Sequence, residues 1–210
     1  MYKLNKYKFG THQIIAKIIG HKKKRILDIG CNKGYLKKIT AECNEFTGID
    51  FDPIALKVAG KGGYVKTYLV DLNSCPYKTS IKSRFDLIIF ADLLEHLIYP
   101  QYALNYFIRN NLAEYGQIIV SLPNVANFTT RFNLLFGVLD YSEAGILDKT
   151  HLHLYTRKSA RKMLEDSDLK IISEYYSSNT FGLLINFFPF LSGLLAYNLI
   201  YVCEKNNRKK

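Results

Sequence analysis

The chain reads as a single α/β domain built on a doubly wound, mainly parallel sheet, and three observations predict it. Apolar runs of strand length recur, and each gives way to a segment with helical spacing. A glycine turn follows the first run, and the next three runs close on carboxylates, Asp50, Asp71 and Asp92. At 210 residues and 48% hydrophobic content the chain suits one full sheet core and no second domain.

Residues 1–24 form a basic N-terminal segment with a helix inside it. Ile14, Ile15, Ile18 and Ile19 fall on one helical face from Thr11 onward, and Gly20 closes the helix as a C-cap. This helix is expected over the sheet edge or the mouth of the site. The first strand, a short apolar run Ile26-Leu27 that leads through Asp28 and Ile29, enters Gly30-Cys31-Asn32-Lys33-Gly34, and Tyr35 to Ile39 resumes with helical spacing. Such a turn needs positive φ and a backbone that a nucleotide-like ligand can approach.

Phe46 to Asp50 is the second strand, and its acid lies 22 residues after Asp28, near the spacing at which a carboxylate meets a ribose diol. Pro53 starts a helix that runs to Gly60. Tyr64 to Val70 is the third strand and ends in Asp71; Asn73 to Arg84, polar and carrying Pro76, is a loop or short helix. The fourth strand, Phe85 to Phe90, ends in Ala91-Asp92, and Pro100 starts a helix to Asn111. Gly116 to Asn124 is the fifth strand with the loop that leaves it. Residues 124–155 then break the alternation, and their polar and aromatic content, including Asn127, Arg131, Tyr141, Lys149 and Tyr155, predicts a loop-rich substrate lid. Thr156 caps a helix to Asp166, Leu169 to Tyr176 is the sixth strand, and Asn198 to Glu204 is the last.

A nicotinamide or flavin dinucleotide would need glycines spaced G-x-G-x-x-G so that a helix N-terminus receives the pyrophosphate. Gly30, Asn32 and Lys33 do not supply that spacing. A cofactor without phosphates fits the turn better.

These ordered motifs resemble class I S-adenosylmethionine-dependent methyltransferases over nearly the whole chain. The family's Asp/Glu-x-Gly-x-Gly-x-Gly turn is matched from Asp28 to Gly34, with Asn32 in place of the middle glycine. Asn is the side chain most tolerant of the left-handed region, so the turn survives. The resemblance implies S-adenosylmethionine as cofactor and a Rossmann-like seven-stranded sheet in the order 3-2-1-4-5-7-6, with strand 7 antiparallel. It further implies that Asp28, Gly30, Cys31, Asn32, Gly34 and Tyr35 cradle the cofactor, that Asp50 meets its ribose and that Phe51 packs on its adenine. Asp71, with Leu72 beside it, would accept from the adenine amino group, and Ala91 and Asp92 would face the methionine end.

Leu94-Glu95-His96-Leu97 followed by Pro100 resembles a pattern of many small-molecule methyltransferases. SLPNVAN (121–127) and GILDKTHLHLYTRKS (145–159) resemble a bacterial subgroup associated with surface-polysaccharide biosynthesis. The implied reaction is O-methylation of a sugar or glycan-type acceptor by in-line transfer, with orientation and desolvation supplying most of the rate. His151 or His153 is the candidate general base, since histidine titrates near neutral pH, and His96 is the third candidate.

An alternative groups Glu95, His96 and His151 around a divalent cation. That set, with Asp92 ahead of it and Thr156-Arg157 behind, resembles small-RNA 2′-O-methyltransferases, and Glu-His also resembles ubiquinone-pathway enzymes; a catechol or RNA ribose would then be the acceptor. Structural roles, with Glu95 and His96 capping a helix, are a further reading. A non-catalytic S-adenosylmethionine-binding protein is the alternative in another class.

The net charge of +11 sits at the ends. Residues 1–25 hold eight Lys/Arg and no acid, and residues 204–210 hold four Lys/Arg against Glu204. Contact with an anionic surface, such as a membrane, or solvated tails both fit; nucleic acid is the less favoured partner. Four cysteines form no metal-knuckle spacing, and no secretion signal is recognisable, so a cytoplasmic location is expected, peripheral to the inner face of the membrane. Residues 181–195 are an uncharged apolar segment centred on Phe187, Phe188, Pro189 and Phe190. Its glycines, polar residues and proline, and the need for a last strand after it, argue against a membrane span. Docking on a bilayer, cover for a lipid-linked substrate, a homodimer contact or burial are the readings left open.

Overall fold

A computed structural model of the chain describes residues 8–74, 76, 79–178 and 181–206. Lys3, Lys6, Arg208, Lys209 and Lys210 of the basic ends, and Cys75, lie outside the described residues. The strands are β1 (Arg25–Ile29), β2 (Glu45–Asp50), β3 (Lys66–Leu69), β4 (Phe85–Ala91), β5 (Leu112–Pro123), β6 (Leu169–Ser177) and β7 (Asn198–Lys205). They form one sheet in the order β3-β2-β1-β4-β5-β7-β6, with β7 antiparallel to both of its neighbours and the other pairings parallel. The sequence-based order therefore holds.

Strand alternation divides the core between two faces. Leu27, Ile29, Ile88, Phe90, Ile118, Val120, Leu199 and Tyr201 belong to one cluster, with Leu104 and Phe107 of helix α3 (Pro100–Asn111) and Leu164 of helix α5 (Arg157–Asp166). Ile26, Leu87, Ile89, Ile119, Ile200 and Val202 face the other way. They meet Ile15 and Ile19 of α1 (Thr11–Ile19) and Leu56 and Ala59 of α2 (Pro53–Lys61). Sheet order reverses direction between β1 and β4, and the carboxyl ends of those two strands open the crevice in which ligands of such sheets bind.

Local chemistry sets the element ends. Gly20 takes φ +68° and its N–H donates to the Ala16 carbonyl, closing α1 as its sequence predicts. The Asp52 side chain accepts from the N–H groups of Ile54 and Ala55 ahead of Pro53, and Thr156 forms a capping box with Ser159.

Four differences from the sequence-based expectations stand out. Tyr35 to Ile39 does not make an α-helix: the segment is turn followed by a single 3₁₀ turn, Lys37–Ile39. Thr40 Oγ1 donates to the Leu36 carbonyl at 3.0 Å, and Lys37 Nζ donates to the carbonyls of Glu42 and Asn44, so side chains satisfy the groups a longer helix would need. Strand β3 is shorter than Tyr64 to Val70. Strand β5 starts at Leu112 rather than Gly116, with a register shift opposite Phe85–Leu87. The 124–155 segment holds a helix, α4 (Phe128–Leu135), capped by the Asn127 side chain.

The apolar stretch before β7 folds as α6 (Gly182–Phe187), a 3₁₀ turn and α7 (Ser192–Leu195). Ile185 enters the core, whereas Leu183, Phe187 and Phe190 are 65–78% exposed, so burial does not account for the segment. No helix among the described residues is long and apolar enough to cross a membrane.

Candidate functional site

The turn after β1 adopts the backbone its composition predicts. Gly30, Asn32 and Gly34 have φ of +74°, +47° and +70°, so Asn32 takes the left-handed conformation that a glycine would otherwise supply. The turn is hung on the end of β2: the N–H groups of Gly30 and Cys31 both donate to the Ile49 carbonyl. Asn32 N–H donates to Asp50 Oδ2 at 2.7 Å, and Asp52 N–H donates to Asp50 Oδ1 at 3.0 Å. Asp50, 8% exposed, is thereby fixed in the wall of a cavity of about 890 Å³. A Cβ on Gly30 would lie 2.9 Å from Leu93 Cδ1, in that same wall.

Beneath the turn Asp28 is buried, and the Tyr64 hydroxyl donates to its Oδ2 at 2.5 Å. Burial pushes the Asp28 carboxyl up to about 7, against the Tyr64 hydrogen bond, which lowers it. Phe51 stands exposed on the cavity rim, and Leu72 is buried in its wall. Asp71 lines the cavity while accepting from Asn73 N–H and Ser74 Oγ, bonds that hold its carboxyl below the ordinary value.

Asp92 ties three strand ends together. It sits at φ +49°, and its Oδ1 accepts from Ser121 Oγ at 2.6 Å and from Asn198 Nδ2 at 2.7 Å. Ser121 and Asn198 come from β5 and β7, so nothing near Asp92 in the sequence announced them. His12, which the sequence left without a role, is buried at the start of α1 and lines the cavity together with Asp92. Burial lowers its pKa, and the nearby Asp92 charge opposes that. Thr11 Oγ1 donates to Ser177 Oγ at 3.2 Å, fastening this end of α1 to β6.

In the same cavity Glu95, His96 and His151 offer ligand-type atoms that all lie within 4.8 Å of one another. Leu152 and His153 N–H both donate to the Glu95 carbonyl, which brings the distant 145–155 segment onto this turn. His151 Nδ1 lies 2.9 Å from the Ile146 carbonyl. His96 Nδ1 lies 3.2 Å from the Thr150 carbonyl and 3.0 Å from Thr150 Oγ1. The two imidazole centroids are 4.7 Å apart.

Of the residues the sequence offered for catalysis or cofactor binding, all but Gly34 and His153 line this cavity, whereas Asn127, Arg131, Tyr141, Lys149 and Tyr155 of the expected lid do not. Gly34 supports it from below, packed on Tyr64 and Ala59. His153 faces a separate shallow groove with Tyr99, Tyr155 and Lys162. Within the expected lid only residues from Ala144 to His151 reach the cavity, and α4 does not. Tyr197, Ser177 and Asn198 complete the wall, and no local motif pointed to them.

A family model described as a methyltransferase domain matches residues 7–174. No curated protein matches the sequence. Among solved structures the fold is similar to a TehB-like S-adenosylmethionine-dependent methyltransferase from Corynebacterium glutamicum, with 18% identity, TM-score 0.59, and coverage of 94% of this chain and 88% of that one. It is similar also to an S-adenosylmethionine-dependent methyltransferase from Clostridium acetobutylicum, with 14% identity, TM-score 0.64, and coverage of 97% and 93%. A magnesium protoporphyrin IX methyltransferase from Synechocystis, solved with bound S-adenosylhomocysteine, has 15% identity, TM-score 0.60, and coverage of 91% and 78%. At these identities the likeness establishes a shared fold.

Proposed function

The chain belongs to the methyltransferase-domain family, and from that premise we propose that it moves the methyl group of S-adenosylmethionine to a hydroxyl of a sugar or glycan-type acceptor. One observation carries the reading: a single cavity is lined both by the glycine turn, Asp50 and Asp71 and by Glu95, His96 and His151. The glycine-turn side fits an adenosyl group. Its backbone is left free of Cβ atoms at Gly30, a carboxylate is fixed where a ribose would bind, and Phe51 stands beside it for a ring to pack on.

When bound, the cofactor supplies an electrophilic methyl carbon on a sulfonium. The protein's task is then to hold the acceptor oxygen in line, exclude water and receive the hydroxyl proton. Asp92, held by Ser121 and Asn198, fixes part of the cavity wall. His151 meets the acceptor, with its Nδ1 engaged by a carbonyl and Nε2 left to act.

Exposed apolar surface beside the cavity favours an acceptor carried on a lipid. Phe132, Leu135 and Phe136 in and after α4, and Leu183, Phe187 and Phe190 in and after α6, are all exposed. The Phe128 and Phe181 rings, 5.2 Å apart, join the two patches, and Asn127 Nδ2 donates to the Ala196 carbonyl next to cavity-lining Tyr197. The N-terminal segment enters the fold here, with Phe9 packed against Gly182, and the basic excess of residues 1–25 suits an anionic bilayer.

Calorimetric titration of S-adenosylmethionine into the wild-type protein and Asp50→Ala tests the cofactor. Micromolar binding lost in the variant is expected; a folded wild-type protein that does not bind would end the reading. Binding without methylation of any glycan or RNA pool would leave a cofactor-binding protein in its place.

A further inference from the structure

The Glu95 carboxylate is 1% exposed, and neither of its oxygens has a hydrogen-bond partner among the described residues. A buried carboxylate without partners is costly and calls for a proton or a cation. Both neighbouring imidazoles are prepared for a cation. A backbone carbonyl can only accept, so the Ile146 carbonyl at His151 Nδ1 and the Thr150 carbonyl at His96 Nδ1 place the ring proton on Nδ1 in each case. Each Nε2 is left with its lone pair, the arrangement by which outer-shell carbonyls orient metal-ligating histidines. A further layer supports it, since Asp148 Oδ1 accepts from Thr150 N–H at 2.8 Å and from Thr150 Oγ1 at 2.7 Å.

We propose that Glu95, His96 and His151 form a binding site for one first-row divalent cation, which holds and acidifies the acceptor hydroxyl in the cavity. Donors around an ion at about 2.1 Å stand roughly 3–4 Å apart, so the present set, within 4.8 Å, has about 1 Å to close on an ion. Two imidazoles and one carboxylate suit zinc, iron, cobalt or manganese better than magnesium or calcium, which prefer oxygen donors. Three protein ligands leave coordination positions open for acceptor oxygens. Asp92 is not a ligand: its carboxylate is committed to Ser121 and Asn198.

The acceptor role rests on the methyl-transfer reading, whereas ion binding does not. With the ion in place, the bound hydroxyl releases its proton to solvent, and the alkoxide oxygen forms a bond to the methyl carbon as the carbon–sulfur bond breaks, its electron pair staying on sulfur. His151 then acts through the ion.

The test uses chelator-treated full-length protein, with no cofactor present, titrated with cobalt, manganese, zinc and magnesium chlorides by calorimetry. Cobalt adds a visible d–d spectrum as a second readout. One cobalt, manganese or zinc ion per chain is expected, with magnesium at least tenfold weaker. Glu95→Gln and His151→Ala should each weaken binding at least tenfold while circular dichroism stays native. Folded wild-type protein that binds none of these ions, or variants that bind as tightly as wild type, would overturn the site. Cofactor titration of the same samples keeps the two readings apart: ion binding without cofactor binding fails methyl transfer alone, and the converse fails the metal site alone.

Discussion

The Tyr64 hydroxyl donates to the Asp28 carboxylate at 2.5 Å under the glycine turn, making a buried tyrosine the partner of the buried acid that opens the motif. Asp28 has its carboxyl raised by burial from 3.8 to about 7, so the folded state keeps a proton that the unfolded chain has already released. Its contribution to stability is complete below the unfolded value, falls as pH rises from about 4 to 7, and is flat above. Asp28→Asn removes that slope. Relative to wild type, the variant should gain stability between pH 5 and pH 8, on the order of 4 kcal/mol at most, as read by urea unfolding across pH.

Alanine at two glycines should move stability in opposite directions. A Cβ on Gly34, at φ +70°, would lie 2.7 Å from Tyr64 Cε2 and 3.1 Å from Ala59 Cα, so Gly34→Ala should cost about 1–3 kcal/mol and loosen the turn. Gly60, within α2, has open space around the same position, and Gly60→Ala should add about 0.5–1 kcal/mol. Chemical denaturation of both variants checks the pair.

Asn198→Leu removes the Nδ2 donor from Asp92 Oδ1, leaving a half-buried acceptor short of one bond. A loss of about 1–3 kcal/mol is expected, with weaker S-adenosylmethionine binding by calorimetry because the end of β4 loses its tie to β7. Unchanged affinity in a folded variant would separate Asp92 from the cofactor.

Liposome flotation should recover the protein with anionic vesicles at low salt, and less of it at high salt. Phe187→Ser with Phe190→Ser should reduce that recovery about tenfold or more without altering cofactor binding, since both side chains are 78% exposed and outside the cavity wall. Recovery that does not respond to the double substitution would place the contact elsewhere.

Strand positions and the residues that line the cavity beside the glycine turn were legible because each rests on local pattern, whereas the sheet order came from the resemblance to class I methyltransferases. Apolar runs, the Asp28 to Gly34 turn and the acids at Asp50, Asp71 and Asp92 are all read within a few residues of themselves. The missing helix at Tyr35 to Ile39 was not legible, since the spacing there suits a helix and only the side-chain bonds of Thr40 and Lys37 show why it stops. His12, Tyr197 and Asn198 were invisible as site residues for a different reason: the closure of the sheet, and no nearby motif, brings them to Asp92 and the cavity. Helix α4 was missed because the polar and aromatic content of residues 124–155 reads as a loop-rich lid, and the fold leaves its apolar Phe132, Leu134 and Leu135 exposed.

Strand β7, last in the chain, is inserted between β5 and β6. On the ribosome, β6 therefore emerges with no neighbour to hydrogen-bond, and Asp92 waits more than one hundred residues for Asn198. The nascent polypeptide carries its whole cofactor motif early yet stays inert until β7 leaves the exit tunnel. The working pocket is thus born only when β7 slides between β5 and β6, and a truncated product ending before Asn198 would be a bystander with an exposed, sticky sheet edge.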